Sequence, residues 1–240
     1  MISSPRPDGR SADDDCLLCP TLRFWFNQMA GLPGLDSLLW ADEDVYVAPD
    51  LAPVAEGHLL VVTNRHYQCA GACPRRIWPA IALARRRVKA LYQEAYGAEA
   101  LIFEHGPARS QAAGSCIDHA HLHCIPATIE LGPVVESHGL RGFTATYETL
   151  ESLWNAGLSY LYLEEGSSGR AFLAEELPTQ FLRNAAVVAV AGEDARRQPT
   201  QWRWQETCGL PVSKRRFVRT LERLRPLSDM AQPHATESHQ

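Results

Sequence analysis

The stretch Ser115-Cys-Ile-Asp-His119-Ala-His121-Leu-His123-Cys-Ile125 places an imidazole at every second position. Side chains alternate along a β-strand, so His119, His121 and His123 are expected on one face, at roughly 6–7 Å intervals from a rise of ~3.3 Å per residue. Ala120, Leu122 and Cys124 would then form an opposite, apolar face that packs on a core. A neutral imidazole near pH 7 is a nucleophile and a tunable base, so such a row calls for a ligand. A second chemical group is Cys16-Leu-Leu-Cys19, which has the spacing of a zinc half-site. Read alone it is also compatible with two small buried hydrophobes or with a redox pair, although no βαβ pattern surrounds it to favour the latter.

The elements expected to carry these groups alternate between strands and helices. Asp44-Val-Tyr-Val-Ala48 reads as a strand closed by Pro49-Asp50, and Gly57-His-Leu-Leu-Val-Val-Thr63 as a second. Between Arg75 and Tyr96, Ile77, Ile81, Ala84, Val88, Leu91 and Ala95 recur at helical spacing, with Arg85, Arg86 and Arg87 on the outer face and Gly97 as the C-cap. Ala100–Phe103 and His119–Ile125 supply a third and a fourth strand. Further on, Ser159–Leu163 and Ala171–Ala174 flank a Glu-Glu-Gly-Ser-Ser-Gly turn and predict a hairpin. Helices are expected over Thr179–Val190 and Arg215–Arg225. The order predicts an α+β fold with a mainly antiparallel sheet, a long helix packed on it, and a C-terminal α/β extension. The division expected is a mobile leader over residues 1–14, one domain over 15–130, the extension over 131–225 and a frayed tail over 226–240.

Composition narrows the partners. The 240 residues are 45% hydrophobic, enough for a real core, and no stretch approaches ~18 consecutive apolar residues, so no membrane span is expected. The N-terminal residues lack an apolar signal region, which points to the cytoplasm. Seven cysteines, an odd number, argue there against a disulfide framework. A net charge of −5 argues against a nucleic-acid partner. The Arg196–Arg225 segment departs from it, with nine basic and two acidic side chains, and reads as a solvated basic surface or a phosphate-facing wall.

The alternating triad resembles the histidine triad (HIT) superfamily of nucleotide hydrolases and transferases, with the motif His-φ-His-φ-His-φ-φ. Asp50-Leu51, Gly57-His58-Leu-Leu-Val-Val, His66 and Phe103-Glu-His-Gly106 follow the order and spacing of the same family, so the resemblance spans about residues 16–126. It implies that His121 attacks the α-phosphate of a nucleotide and forms a nucleotidyl-histidine intermediate, with His123 donating to the phosphate oxygens. Ser115 is implied near the leaving group, and Cys116 with His123, Asp50 and Leu51 in nucleotide binding, Asp50 through the ribose hydroxyls. Its zinc-containing members imply a structural Zn²⁺ on Cys16, Cys19, His66 and His119. The implied partner is a nucleotide or nucleotide conjugate. A homodimer is also implied, in which the extension could take the partner's place. Glu104 or His105 stands where many members carry a phosphate-contacting Asn, which opens a second reading: a nucleotide-binding protein of this fold with little or no activity. Pro178–Arg183 and Gln201–Trp204 are segments that could close over the site.

Overall fold

In the computed structural model, residues 16–109, 117–127, 129–174, 177–191 and 203–230 are described. The expected leader lies outside them, as do Ser115, Cys116 and Trp202. Among the described residues, eight strands form one sheet in the order β1-β2-β3-β5-β4-β7-β8-β6, with every pair antiparallel. They are β1 (Trp40–Ala41), β2 (Val45–Pro49), β3 (Leu59–Thr63), β4 (Ala100–Gly106), β5 (His121–Pro126), β6 (Gly142–Thr144), β7 (Tyr160–Glu165) and β8 (Ser168–Leu173). The helices are α1 (Phe24–Ala30), α2 (Trp78–Tyr96), α3 (Gly132–Ser137), α4 (Tyr147–Asn155), α5 (Phe181–Ala191), α6 (Trp204–Thr207) and α7 (Pro211–Met230). The α+β expectation holds. No helix among the described residues is long and apolar enough to cross a membrane.

β2, β3 and most of β4, β5 and β7 are buried on both faces. These strands therefore read as apolar runs rather than alternations. One face is covered by α2, where Ile81, Ala84, Val88 and Leu91 of the predicted stripe are buried, as is Ile77 just before the helix, while Ala95 is half-buried. Each of the Ile, Val and Leu side chains contributes about 1.5–3 kcal/mol on transfer from water. The Tyr92 hydroxyl lies 2.6 Å from the Gly57 carbonyl and 2.7 Å from that of Cys124, locking α2 to the turn before β3 and to the histidine strand. Gly57 has φ +86°, and a Cβ there would stand 2.6 Å from Pro126, so this turn accepts only glycine.

The extension continues the sheet. Tyr160–Glu164 of β7 pairs along the outer edge of β4, and β7, β8 form the predicted hairpin. Arg85 departs from its expected outward position. It turns inward with Lys89 to pair with Glu164 of β7, so α2 spans both halves of the sheet. The expected frayed tail is corrected in part: α7 runs through Pro226 to Met230. Its buried Phe217, Leu221 and Leu224 supply the apolar face that a polar composition hid. Thr220 of α7 accepts from the Gly57 amide at 2.8 Å, which ties this last helix to the turn before β3.

Candidate functional site

β5 begins at His121, two residues later than expected. His119 occupies the bend before it, where its side chain turns toward the N-terminal thiols. His121 and His123 share a face, but their ring centroids are 4.9 Å apart, closer than the strand rise alone gives, because the rings lean edge to face. That face is covered rather than open: His123 is buried and His121 half-buried, while Ala120, Leu122 and Cys124 are buried on the other side as expected.

The hydrogen bonds assign the tautomers. The Nδ1 of His121 lies 2.5 Å from the His119 carbonyl, which can only accept, so Nδ1 carries the proton and Nε2 keeps its lone pair. Burial, the largest influence, lowers the His121 pKa, which keeps that lone pair available at neutral pH. His58 Nδ1 accepts from the Val54 amide at 3.1 Å, so His58 Nε2 is the protonated nitrogen and donates to His123 Nδ1 at 3.0 Å. His123 is thereby left with its proton on Nε2, as a donor. Its ring stacks on Phe103, centroids 4.8 Å apart, and burial holds its pKa well below the ordinary imidazole value. His58, buried with both ring nitrogens bonded, is thus a satisfied structural histidine that orients His123.

Asp50 is 3% exposed and lies 3.6 Å from His123 and 3.8 Å from His58. Its two oxygens take a fork from Arg183 of α5, at 2.9 and 3.1 Å, and Oδ1 also accepts from the Ala52 amide at 2.7 Å. Burial alone would raise the Asp50 carboxyl, but the Arg183 guanidinium, with His58 and the Ala52 amide, holds it below the usual value. Leu51, Trp204 and Phe26 complete the walls around His121 and His123. Both segments expected to close over the site contribute to it, through Arg183 and Trp204.

Glu104 and His105 point to opposite faces of β4. Glu104 accepts from the Ala70 amide at 2.7 Å and the Tyr160 hydroxyl at 2.9 Å, away from the histidine pocket. Gly106 makes this possible: it pairs with Tyr160, whose ring lies 2.1 Å from where a Cβ would stand. Burial raises Glu104 to about 8. Its folded value lies above the unfolded one, so its protonated form favours folding fully below about pH 4.5, a contribution lost as pH rises towards 8. Glu104→Gln is therefore expected to remove a fall in stability between pH 5 and 8, on the order of 1 kcal/mol per unit, read from urea midpoints across pH.

His105 Nε2 accepts from the Leu182 amide at 3.1 Å, at the start of α5. Burial lowers its pKa to about 3, with the positive charge of Arg183 adding to the shift. The folded value is depressed, so this contribution is complete above about pH 6.5 and disappears as pH falls towards 3. His105→Gln keeps an acceptor without a titration. It is expected to shrink the acid loss of stability by on the order of 1 kcal/mol per unit below pH 6.5, again from urea midpoints.

Cys16, Cys19, His66 and His119 bring their ligand atoms within 4.8 Å of one another. The sulfur-to-Nδ1 separations are 3.4 Å (Cys16–His119), 3.3 Å (Cys19–His66) and 3.5 Å (Cys19–His119). A tetrahedral zinc with bonds of about 2.3 Å to sulfur and about 2.0 Å to nitrogen has edges of about 3.5 Å, so the donor set has the right size. His119 Nε2 donates to the Thr63 carbonyl at 2.8 Å, which leaves Nδ1 bare toward the thiols. Hydrogen bonds from Cys19, then the His119 and His66 imidazoles, lower the Cys16 thiol far into the thiolate range despite burial. This group can hold a metal. Asp50, His58 and His123 are equally close together, but their lone pairs and protons are spent on one another and on Arg183, so that group does not fit an ion.

An antiparallel sheet that sets a histidine-bearing strand between a Cys₂His₂ cluster and a buried carboxylate defines an α+β protein with a histidine-centred pocket. Residues 35–129 match the HIT domain family model. The chain is similar to a Hit-like protein involved in cell-cycle regulation from Bartonella henselae, with 19% identity, 62% of this chain and 100% of that chain covered, and a TM-score of 0.39. It is similar to a HIT family protein from Bacillus anthracis, at 20% identity, 60% and 94% coverage and TM-score 0.37. A Zn-bound histidine triad family protein from Mycobacterium smegmatis stands at 19%, 60% and 94%, and 0.36. No curated protein matches the chain.

Proposed function

We propose that the chain is a nucleotide hydrolase or nucleotidyltransferase working through a nucleotidyl-histidine intermediate on His121. The observation that carries this reading is the tautomer of His121: Nδ1–H is fixed on the His119 carbonyl, so the Nε2 lone pair is the free, neutral nucleophile in the pocket. Nε2 attacks the α-phosphorus, the bond to the leaving group breaks, and that group departs with the electron pair and takes up a proton. His123 Nε2–H donates to the non-bridging oxygens as charge grows on them. Water or another acceptor then displaces the nucleotide from His121, which splits one displacement into two easier ones. Asp50 receives the ribose hydroxyls and Leu51 packs on the base. Ser115 and Cys116 keep their implied roles at the leaving group and the nucleotide.

Zinc on Cys16, Cys19, His66 and His119 is structural in this reading, because four protein donors close the tetrahedral shell. When bound it supplies a cross-link between the N-terminal segment and the bend before β5. His119 links the two sites: its side chain belongs to the Cys₂His₂ group and its carbonyl orients His121. We place the protein in the cytoplasm, where such thiols stay reduced. A homodimer would need an edge other than those of β4, since β5 and β7 take both.

The test is intact mass spectrometry after brief mixing with a panel of dinucleotides, nucleoside phosphoramidates and nucleoside triphosphates. A gain of one nucleotidyl group on the wild-type chain is expected. No adduct and no turnover across the panel would favour the second reading, a nucleotide-binding protein without activity. The observation behind that alternative is the Arg183 fork that fills Asp50.

A further inference from the structure

The histidine pocket is closed by the extension. Arg183 and Trp204 of the extension stand in its wall beside Asp50, His121 and His123, and the space left for water there is about 20 Å³, room for about one molecule. What closes it is a side chain 133 positions away from Asp50 in sequence. Arg183 is 3% exposed, forks onto both Asp50 oxygens and donates also to the Ala52 carbonyl. A carboxylate engaged in this way has no place for two ribose hydroxyls.

Arg183 differs from a permanent staple in two respects. Its Nε is buried with no hydrogen-bond partner. Buried donors are nearly always satisfied, and a guanidinium carries five N–H donors in a fixed fork, so a donor held dry beside the nucleophile marks a place for an acceptor. It is also the only Lys or Arg among the described residues lining the pocket. The histidines there are neutral donors or lone pairs. A phosphate entering without Arg183 would face the Asp50 carboxylate in a low-dielectric pocket with no full positive charge to meet it.

The segment is also fastened to the pocket's other wall. Gln180, immediately before α5, has φ +62°, the one positive-φ residue other than glycine among the described residues. Left-handed backbone at such a residue costs about 1–3 kcal/mol and is found at hinges and ligand clamps. Its side chain accepts from the Trp204 amide at 3.1 Å, so the two segments that wall the pocket are fastened to each other.

We propose that Arg183 is a substrate-phosphate-binding residue, delivered to the histidine pocket by the C-terminal extension and stored on Asp50 until a nucleotide's ribose hydroxyls take its place. The inference rests on the nucleotide reading above and adds to it a specificity determinant: a 5′-nucleotide with vicinal hydroxyls exchanges one buried ion pair for two charge-assisted contacts, hydroxyls on Asp50 and phosphate on Arg183. A nucleoside breaks the pair and gives the guanidinium nothing in return.

The full-length protein tests this by calorimetric titration with AMP, GMP, CMP and UMP against the matching nucleosides. Wild type is expected to prefer at least one nucleotide over its nucleoside by about tenfold or more. In Arg183→Met the nucleotide loses that preference, while the nucleoside binds as in wild type or more tightly because Asp50 is released. An unchanged preference in the variant makes Arg183 a staple and overturns the proposal. Equal tightening of nucleotide and nucleoside makes it only a plug, and overturns it too. A wild type that binds none of the eight removes the nucleotide reading itself, whereas a wild type that binds nucleotide and nucleoside alike removes only the role of Arg183. Should Arg183→Met not fold, the Arg183 Nε–H resonance of wild type carries the test. It is expected to shift differently with AMP and adenosine, and identical shifts overturn the proposal.

Discussion

His121→Ala is expected to lower turnover by about four orders of magnitude or more and to abolish the mass-tagged adduct, with nucleotide binding and thermal stability little changed. The size follows from the role: a covalent pathway without its nucleophile retains only what binding and electrostatic stabilisation supply, and removing a nucleophile elsewhere costs 10⁴–10⁶. The neutrality in stability follows from position. His121 is half-buried at the start of β5 and spends one hydrogen bond on its own chain, so its loss leaves little cavity. His123→Ala is a useful contrast. That ring is buried between Phe103 and His58, and its removal leaves His58 Nε2–H without an acceptor, so both activity and folding should suffer. An adduct that persists in His121→Ala would reassign the nucleophile.

Cys16→Ser or Cys19→Ser is expected to reduce bound zinc from about one equivalent to near none and to destabilise the protein by on the order of 4 kcal/mol, roughly 10 °C for a chain of this size. Elemental analysis and thermal melts check this, with Cys208→Ser, which lies outside the cluster, as the control that should keep its metal. The effect should reach catalysis. Losing the metal frees His119, whose carbonyl fixes the proton on His121 Nδ1, so zinc-depleted protein should lose kcat more than affinity. Full metal content in both serine variants would remove the thiols from the ligand set.

The histidine strand, the central strands and the thiol pair were legible because each leaves a local mark: a period of two, apolar runs between turn residues, a two-residue spacing between thiols. His66 and His119 as the thiols' partners were implied only by the family resemblance, and the order of strands in the sheet was not legible. The start of β5 was not, since the bend that turns His119 away depends on Ala120 bonding to Tyr67 and Thr63 rather than on its own neighbours. Glu104 is legible only from Tyr160 and Ala70, and Asp50 only from Arg183, partners that are far away in sequence and bear no periodic relation to them. The same holds for Arg85, which helical periodicity puts on the solvent side until β7 brings Glu164 beneath it. Charged residues satisfied at long range leave no local mark, and here they are what joins the extension to the HIT segment.

Because β7 closes the outer edge of β4, synthesis on the ribosome has an awkward interval. Gly106 is the last residue of β4 and Tyr160 the first of β7, so 54 positions of chain must follow before that edge can be capped. At about 5–20 residues per second this leaves roughly 3–10 s in which a nascent strand carrying Leu101 and Phe103 has open backbone donors and acceptors. Until β7 arrives, that edge is a template on which another chain could pair.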